Sequence, residues 1–196
     1  MSVGAFFIPI SIGIKKAPTD VSDSGVFYVS ASGDDGYHYT ANGSMNTTST
    51  LWQIGNPVYE TWMRFASVTI PQGATITNAF IRGIGYTTNA VPGTGNIYAA
   101  AVDNATAPVT EGDYNALTAT TNYVQWAISS TTAGVAIDSP NLTTVVQEII
   151  DRGGWSSGNA LMFMGFGVTA SAKSIASYDH ATYNPPELHV EYTYTP

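Results

Sequence analysis

Cysteine is absent from the 196 residues, which excludes disulfides and thiolate metal sites. Charge is scarce: Asp, Glu, Lys and Arg make up 10% of the chain, against roughly 25% in an average soluble domain. Only six residues are basic, Lys15, Lys16, Arg64, Arg82, Arg152 and Lys173, and they are scattered. With no basic stripe to neutralise phosphates, nucleic acid is not expected as a partner. The net charge of -8 also works against anionic lipid. No apolar run is long enough to span a bilayer, so no membrane insertion is expected. The first stretch, "MSVGAFFIPISIGIKKAPTD", has no positive n-region, its lysines follow the apolar run, and Pro9 interrupts it. It is therefore not expected to act as a signal peptide, and synthesis in the cytoplasm fits the missing cysteine.

What is present is apolar and neutral polar. Hydrophobic residues are 44% and aromatics 12%, enough for the core of one domain. Thr, Ser, Asn and Gly carry the polar surface. Phe6, Phe7, Ile8, Ile10, Ile12 and Ile14 concentrate near the beginning. They read either as a core strand or as an arm docked on a neighbouring subunit. The arm is favoured, because a soluble monomer seldom exposes such a patch. The expected organisation is an N-terminal arm over 1–24 and a single domain over 25–196. A homo-oligomer is expected with it, for instance a trimer.

From Gly25 onward, short runs of Val, Ile, Tyr, Phe and Trp alternate with turn residues. In "ELHVEYTY" (187–194), Leu188, Val190, Tyr192 and Tyr194 face one way and polar residues the other, a half-buried strand. In "ALMFMGFGV" (160–168) both faces are apolar, which predicts a central strand. One segment breaks the pattern. Leu142, Val145, Val146, Ile149 and Ile150 recur at helical spacing. The spacing predicts an amphipathic helix over about 140–152, with Ser139 or Asp138 as N-cap and Gly153 as a left-handed C-cap. The fold class expected is all-β, an antiparallel jelly-roll-like sandwich with that one helix.

Gly154-Trp155-Ser156-Ser157-Gly158 matches the G-x-S-x-G pattern of a nucleophile elbow. That device needs a strand before the serine and a helix after it. Here the order is reversed, so Ser156 reads as part of a helix-to-strand joint, with Gly158-Asn159 as the turn.

The run "NLTTVVQEIIDRGGWSSGNALMF" resembles the DNRLRE-type β-sandwich domains, which are also grouped with carbohydrate-binding modules. "WMRFASVTIPQGATITNAFIRG" and "ASYDHATYNPPELHVEYT" are similar to other pieces of that family, in the family's order. The likeness spans roughly Tyr37 to Tyr194. Ile150 stands where the family usually has Trp, and the "IDRGGW" that follows is similar to structural proteins of tailed bacteriophages. The resemblance implies a sandwich used for adhesion, glycan binding or assembly. In the phage variant it implies a non-enzymatic virion protein, a capsid decoration or a tail or fibre component, with other virion proteins as partners. The alternatives are a carbohydrate-binding module for a bacterial surface polysaccharide and, third, a glycan-active enzyme domain. Fold analogy alone does not choose among them.

Two candidate sites accompany these readings. Asp34, Asp35 and Asp179 lie in loops and offer the hard oxygen ligands of a structural Ca²⁺; the competing reading is a plain turn and an exposed loop residue. No other cofactor is expected. Tyr37, Tyr39 and Tyr86 are the more open aromatics and could stack on sugar rings. Trp126 and Trp155 are expected in the core. No carboxylate pair stands out at the spacing glycoside hydrolysis needs.

Overall fold

The computed structural model describes Met1 and residues 18–196. Among the described residues, twelve strands lie in chain order: β1 (Val21–Tyr28), β2 (Asp35–Tyr39), β3 (Ser44–Asn46), β4 (Leu51–Ile54), β5 (Tyr59–Phe65), β6 (Thr75–Ile84), β7 (Gly93–Ala99), β8 (Val124–Ile128), β9 (Ala136–Asp138), β10 (Leu161–Gly167), β11 (Lys173–Ala176) and β12 (Glu187–Tyr194). Two helices interrupt them, α1 (Glu111–Asn115) and α2 (Thr143–Ile150). One sheet runs β1-β12-β6-β9, the other β3-β2-β5-β10-β7-β8, and β11 pairs with β4. Every pairing is antiparallel. The architecture is thus the expected all-β, jelly-roll-like sandwich.

The period-2 pattern dictates what each sheet buries. β12 sends Leu188, Val190 and Tyr192 inward, β6 sends Ile76, Ala79 and Ile81, and β5 sends Met63 and Phe65, all into one core. β10 sits between β5 and β7. Its Leu161 and Phe163 join that core, while Met162 and Met164 enter a second, smaller cluster with Trp62, Ala105 and Tyr114. The excursion between β7 and β8 supplies the cover for this second face. That is why β10 reads as apolar on both sides.

The amphipathic helix forms and buries Val145, Val146, Ile149 and Ile150. Its ends differ from expectation. It starts at Thr143, not near Pro140. Ser139 is no cap: its Oγ accepts from Ile81 N at 3.0 Å and donates to Pro140 O. Asn141 Oδ1 accepts from Thr143 N instead, at 2.7 Å. Gly153 does not adopt the left-handed conformation; Gly158 does, with φ 98°. The start of β6 pulls the helix in, since Gln147 accepts from Ile76 N and donates to Ala74 O. A second helix, α1, was not expected. It is nucleated by a capping box in which Thr110 and Asp113 satisfy each other's backbone amides.

Candidate assembly edge

β1 is the outermost strand of the four-stranded sheet. It pairs with β12 along its whole length, from Val21 opposite Tyr194 to Tyr28 opposite Glu187, with no bulge. Among the described residues, nothing pairs with its other edge. The strand begins at Val21, inside the stretch read as an arm, so the sandwich takes up the end of that stretch. Its side chains are mostly outside: Val21 is 39% exposed, Val26 44% and Tyr28 51%, while Phe27 packs on the core.

Native proteins blunt a free edge with lysine, proline, a bulge or a short strand. β1 is eight residues long and has no lysine, proline or bulge. Its one charge is Asp23, whose carboxylate accepts from Tyr192 Oη at 3.2 Å and from Ser24 N. Burial, then that carboxylate, pushes the Tyr192 phenol up. The opposite edge, β9, has three residues and a double contact at its end, Arg82 to Asp138 at 2.7 Å for each bond.

The outer face of this sheet is a mixed surface. Cross-strand pairing sets Val26, His189 and Phe80 in one row and Tyr28, Glu187, Arg82 and Asp138 in the next. The Phe80 and His189 rings stack at 4.7 Å and 5°. Arg82 lies 5.5 Å from the Phe80 centroid, and His189 Nε2 contacts Glu187 at 2.8 Å. Stacked against His189 and contacted by Arg82, Phe80 is not set out as an open platform for a sugar ring. The face sets aromatic and apolar side chains among charges of both signs.

The residues singled out in the sequence fare differently. Phe6, Phe7, Ile8, Ile10, Ile12 and Ile14 lie outside the described residues. Tyr37 and Tyr39 do come together, both against Tyr59 at 5.2 Å. Tyr86 belongs to another group, edge-on to His180, which stacks on Tyr183. Trp126 and Trp155 are buried, with Trp155 Nε1 donating to Ile70 O at 2.9 Å. Ser156 lies between α2 and β10, the helix-to-strand order read from the sequence. Near Tyr86, Ser177, Asp179 and His180 are each bonded to other groups. Ser177 Oγ donates to Ser49 O, Asp179 accepts from Ser32, and His180 Nδ1 accepts from the amides of Thr182 and Tyr183.

Asp34, Asp35 and Asp179 gather at one corner, but Asp34 is taken by Arg64 at 2.6 Å. Among the described residues, no three His, Asp or Glu side chains are arranged to hold a metal ion.

A further cluster was not read from the sequence. His38 is buried, with Nδ1 3.2 Å from Glu60 and Nε2 3.3 Å from Glu111. Burial and the Glu60 charge push the neighbouring Tyr114 phenol up. His38 ties β2 and β5 to α1. Its three members are 22 and 73 residues apart along the chain, so no local spacing announces them.

No family model matches the chain, and no curated protein matches it. Among solved structures, it is similar to one of Mud crab tombus-like virus, with TM-score 0.37, 9% identity, and 100% of this chain and 91% of that chain covered. It is also similar to one of Desmodium yellow mottle tymovirus, with TM-score 0.35, 12% identity, and 99% and 95% covered. Both are virus structures. At these TM-scores the likeness is too distant to assign a role.

Proposed function

We propose that the chain is a non-enzymatic structural protein of a tailed-phage virion, a capsid decoration or a tail or fibre component, that joins neighbouring subunits through its N-terminal segment and β1. The observation that carries this reading is the long, unblunted β1 edge, exposed at Val21, Val26 and Tyr28 and preceded by the apolar stretch from Phe6 to Ile14. A strand edge of this kind accepts another strand through main-chain hydrogen bonds. The low charge and the phage-like "IDRGGWSSGNA" joint support the same reading. The partner at the edge is a second copy, giving a homo-oligomer such as a trimer, and other virion proteins extend the assembly.

Deleting residues 1–18 leaves β1 intact, so the sandwich should still fold. Sedimentation should then show a monomer where the full chain is an oligomer. Val26→Lys, which puts a charge on the edge strand, should weaken association in the same way. If both variants sediment like the full chain, the edge is not the joint. The alternative, a glycan-binding module, has its best support in the group of Tyr37, Tyr39 and Tyr59. Specific binding on a glycan array, retained after the deletion and lost in Tyr39→Ala, would favour it.

A further inference from the structure

The corner between the two sheets is built from three segments, residues 30–35, 47–49 and 177–180. Ser32 Oγ donates to Asp179 Oδ2 at 2.7 Å and contacts Thr47 O at 3.3 Å. Tyr178 N donates to Asp35 Oδ2 at 2.9 Å, and Ser177 Oγ donates to Ser49 O. At its centre is Asp35, 0% exposed. Its second oxygen, Oδ1, has no hydrogen-bond partner.

The charge balance here is incomplete. Arg64 is spent on Asp34 and on Ala105 O. Among the described residues, neither Asp35 nor Asp179 forms an ion pair. A buried carboxylate without a counter-charge is expensive and must find a proton or a cation. Burial holds the Asp35 carboxyl up at about 7, with the Tyr178 amide opposing and the charges of Asp179 and Asp34 adding to it. A proton on Oδ1 would still have no acceptor. A proton on Oδ2 would compete with the Tyr178 amide. A cation at Oδ1 satisfies the orphan oxygen, keeps the amide bond and offsets Asp179.

We propose that Asp35 and Asp179 form a site for a hard divalent cation of the Ca²⁺ class, which staples the start of β2 to the loop leading into β12. The candidate ligands are Asp35 Oδ1, the Asp179 carboxylate and the Ser32 hydroxyl, with carbonyls of the same segments and water completing the shell. Among the described residues, no three His, Asp or Glu side chains are set to hold one ion, so neutral oxygens must fill most of the shell, which suits Ca²⁺. That ion takes 6–8 oxygen ligands in irregular geometry, whereas Mg²⁺ demands a near-ideal octahedron. Asp34, held by Arg64, is not a ligand.

The test is thermal melting of the full chain, stripped with EGTA and then given CaCl2, MgCl2, or NaCl at matched ionic strength. CaCl2 at about a hundredfold excess over Kd should raise Tm by about 5–10 °C. MgCl2 should do less and NaCl nothing. Asp35→Asn and Asp179→Asn should each abolish it, while Asp138→Asn, on the outer face of the other sheet, should keep it. Asp179 is only half-buried, so its variant keeps the test informative if Asp35→Asn folds poorly. A wild-type Tm that CaCl2 leaves unmoved, or a shift retained in Asp179→Asn, would overturn the proposal.

Discussion

Asp35 sets a pH dependence that follows from its surroundings alone. Its carboxyl is raised from 3.8 to about 7 in the folded, metal-free chain. The folded state therefore holds a proton that the unfolded state releases first. Stability should fall as pH rises from about 4 through about 7, by up to a few kcal/mol. Asp35→Asn removes the titration, so its denaturant midpoint in EGTA should vary less over that window and exceed the wild type above it. A wild-type midpoint that rises over the same range would contradict the burial argument. Part of this corner is legible from residue type, because Asp34, Asp35 and Asp179 read as loop carboxylates, although Asp35 opens β2. Which of them is free is not, because Arg64 reaches Asp34 from a different strand. The pairing of His38 with Glu60 and Glu111 was hidden for the same reason, as register and a distant loop create it.

At the scale of elements, the apolar period was the reliable signal. Five residues at helical spacing placed α2, and its four core positions are buried. Ile149 is 1% exposed, so Ile149→Ala should cost about 2–4 kcal/mol, read as a lower urea midpoint with an unchanged slope. A neutral result would mean that α2 does not seal the core. Strict alternation likewise found β12, and doubled apolarity found the central β10. Caps were less legible. Ser139 looked like a cap by type, yet its hydroxyl is claimed by β6, a partner 58 residues away. Helix α1 has five residues, EGDYN, too few to show a period and rich in types that read as turn. Its order comes from one capping box and from Tyr114 entering the second core.

At the scale of the whole molecule, the sandwich is legible in the sequence, and its edge strand only from Gly25 onward. Strand β1, "VSDSGVFY", is exposed at nearly every position, so it lacks the inward-facing residues by which strands are recognised. It is held chiefly by its ladder with β12 and by Phe27. That ladder has a mechanical consequence. Val21 lies opposite Tyr194, so these two residues stand at the same end of one antiparallel pair. Tension applied between these two points opens the ladder from that end, one bonded pair after another, like a zipper. It does not load all the pairs at once in shear. Single-molecule pulling from Val21 and Tyr194 should thus detach β1 first, at low force, while the remaining strands stay closed. Pulling from Tyr28 and Tyr194, at opposite ends of the ladder, should require distinctly more. Equal rupture forces in the two geometries would show that β1 is anchored by something other than its pairing with β12.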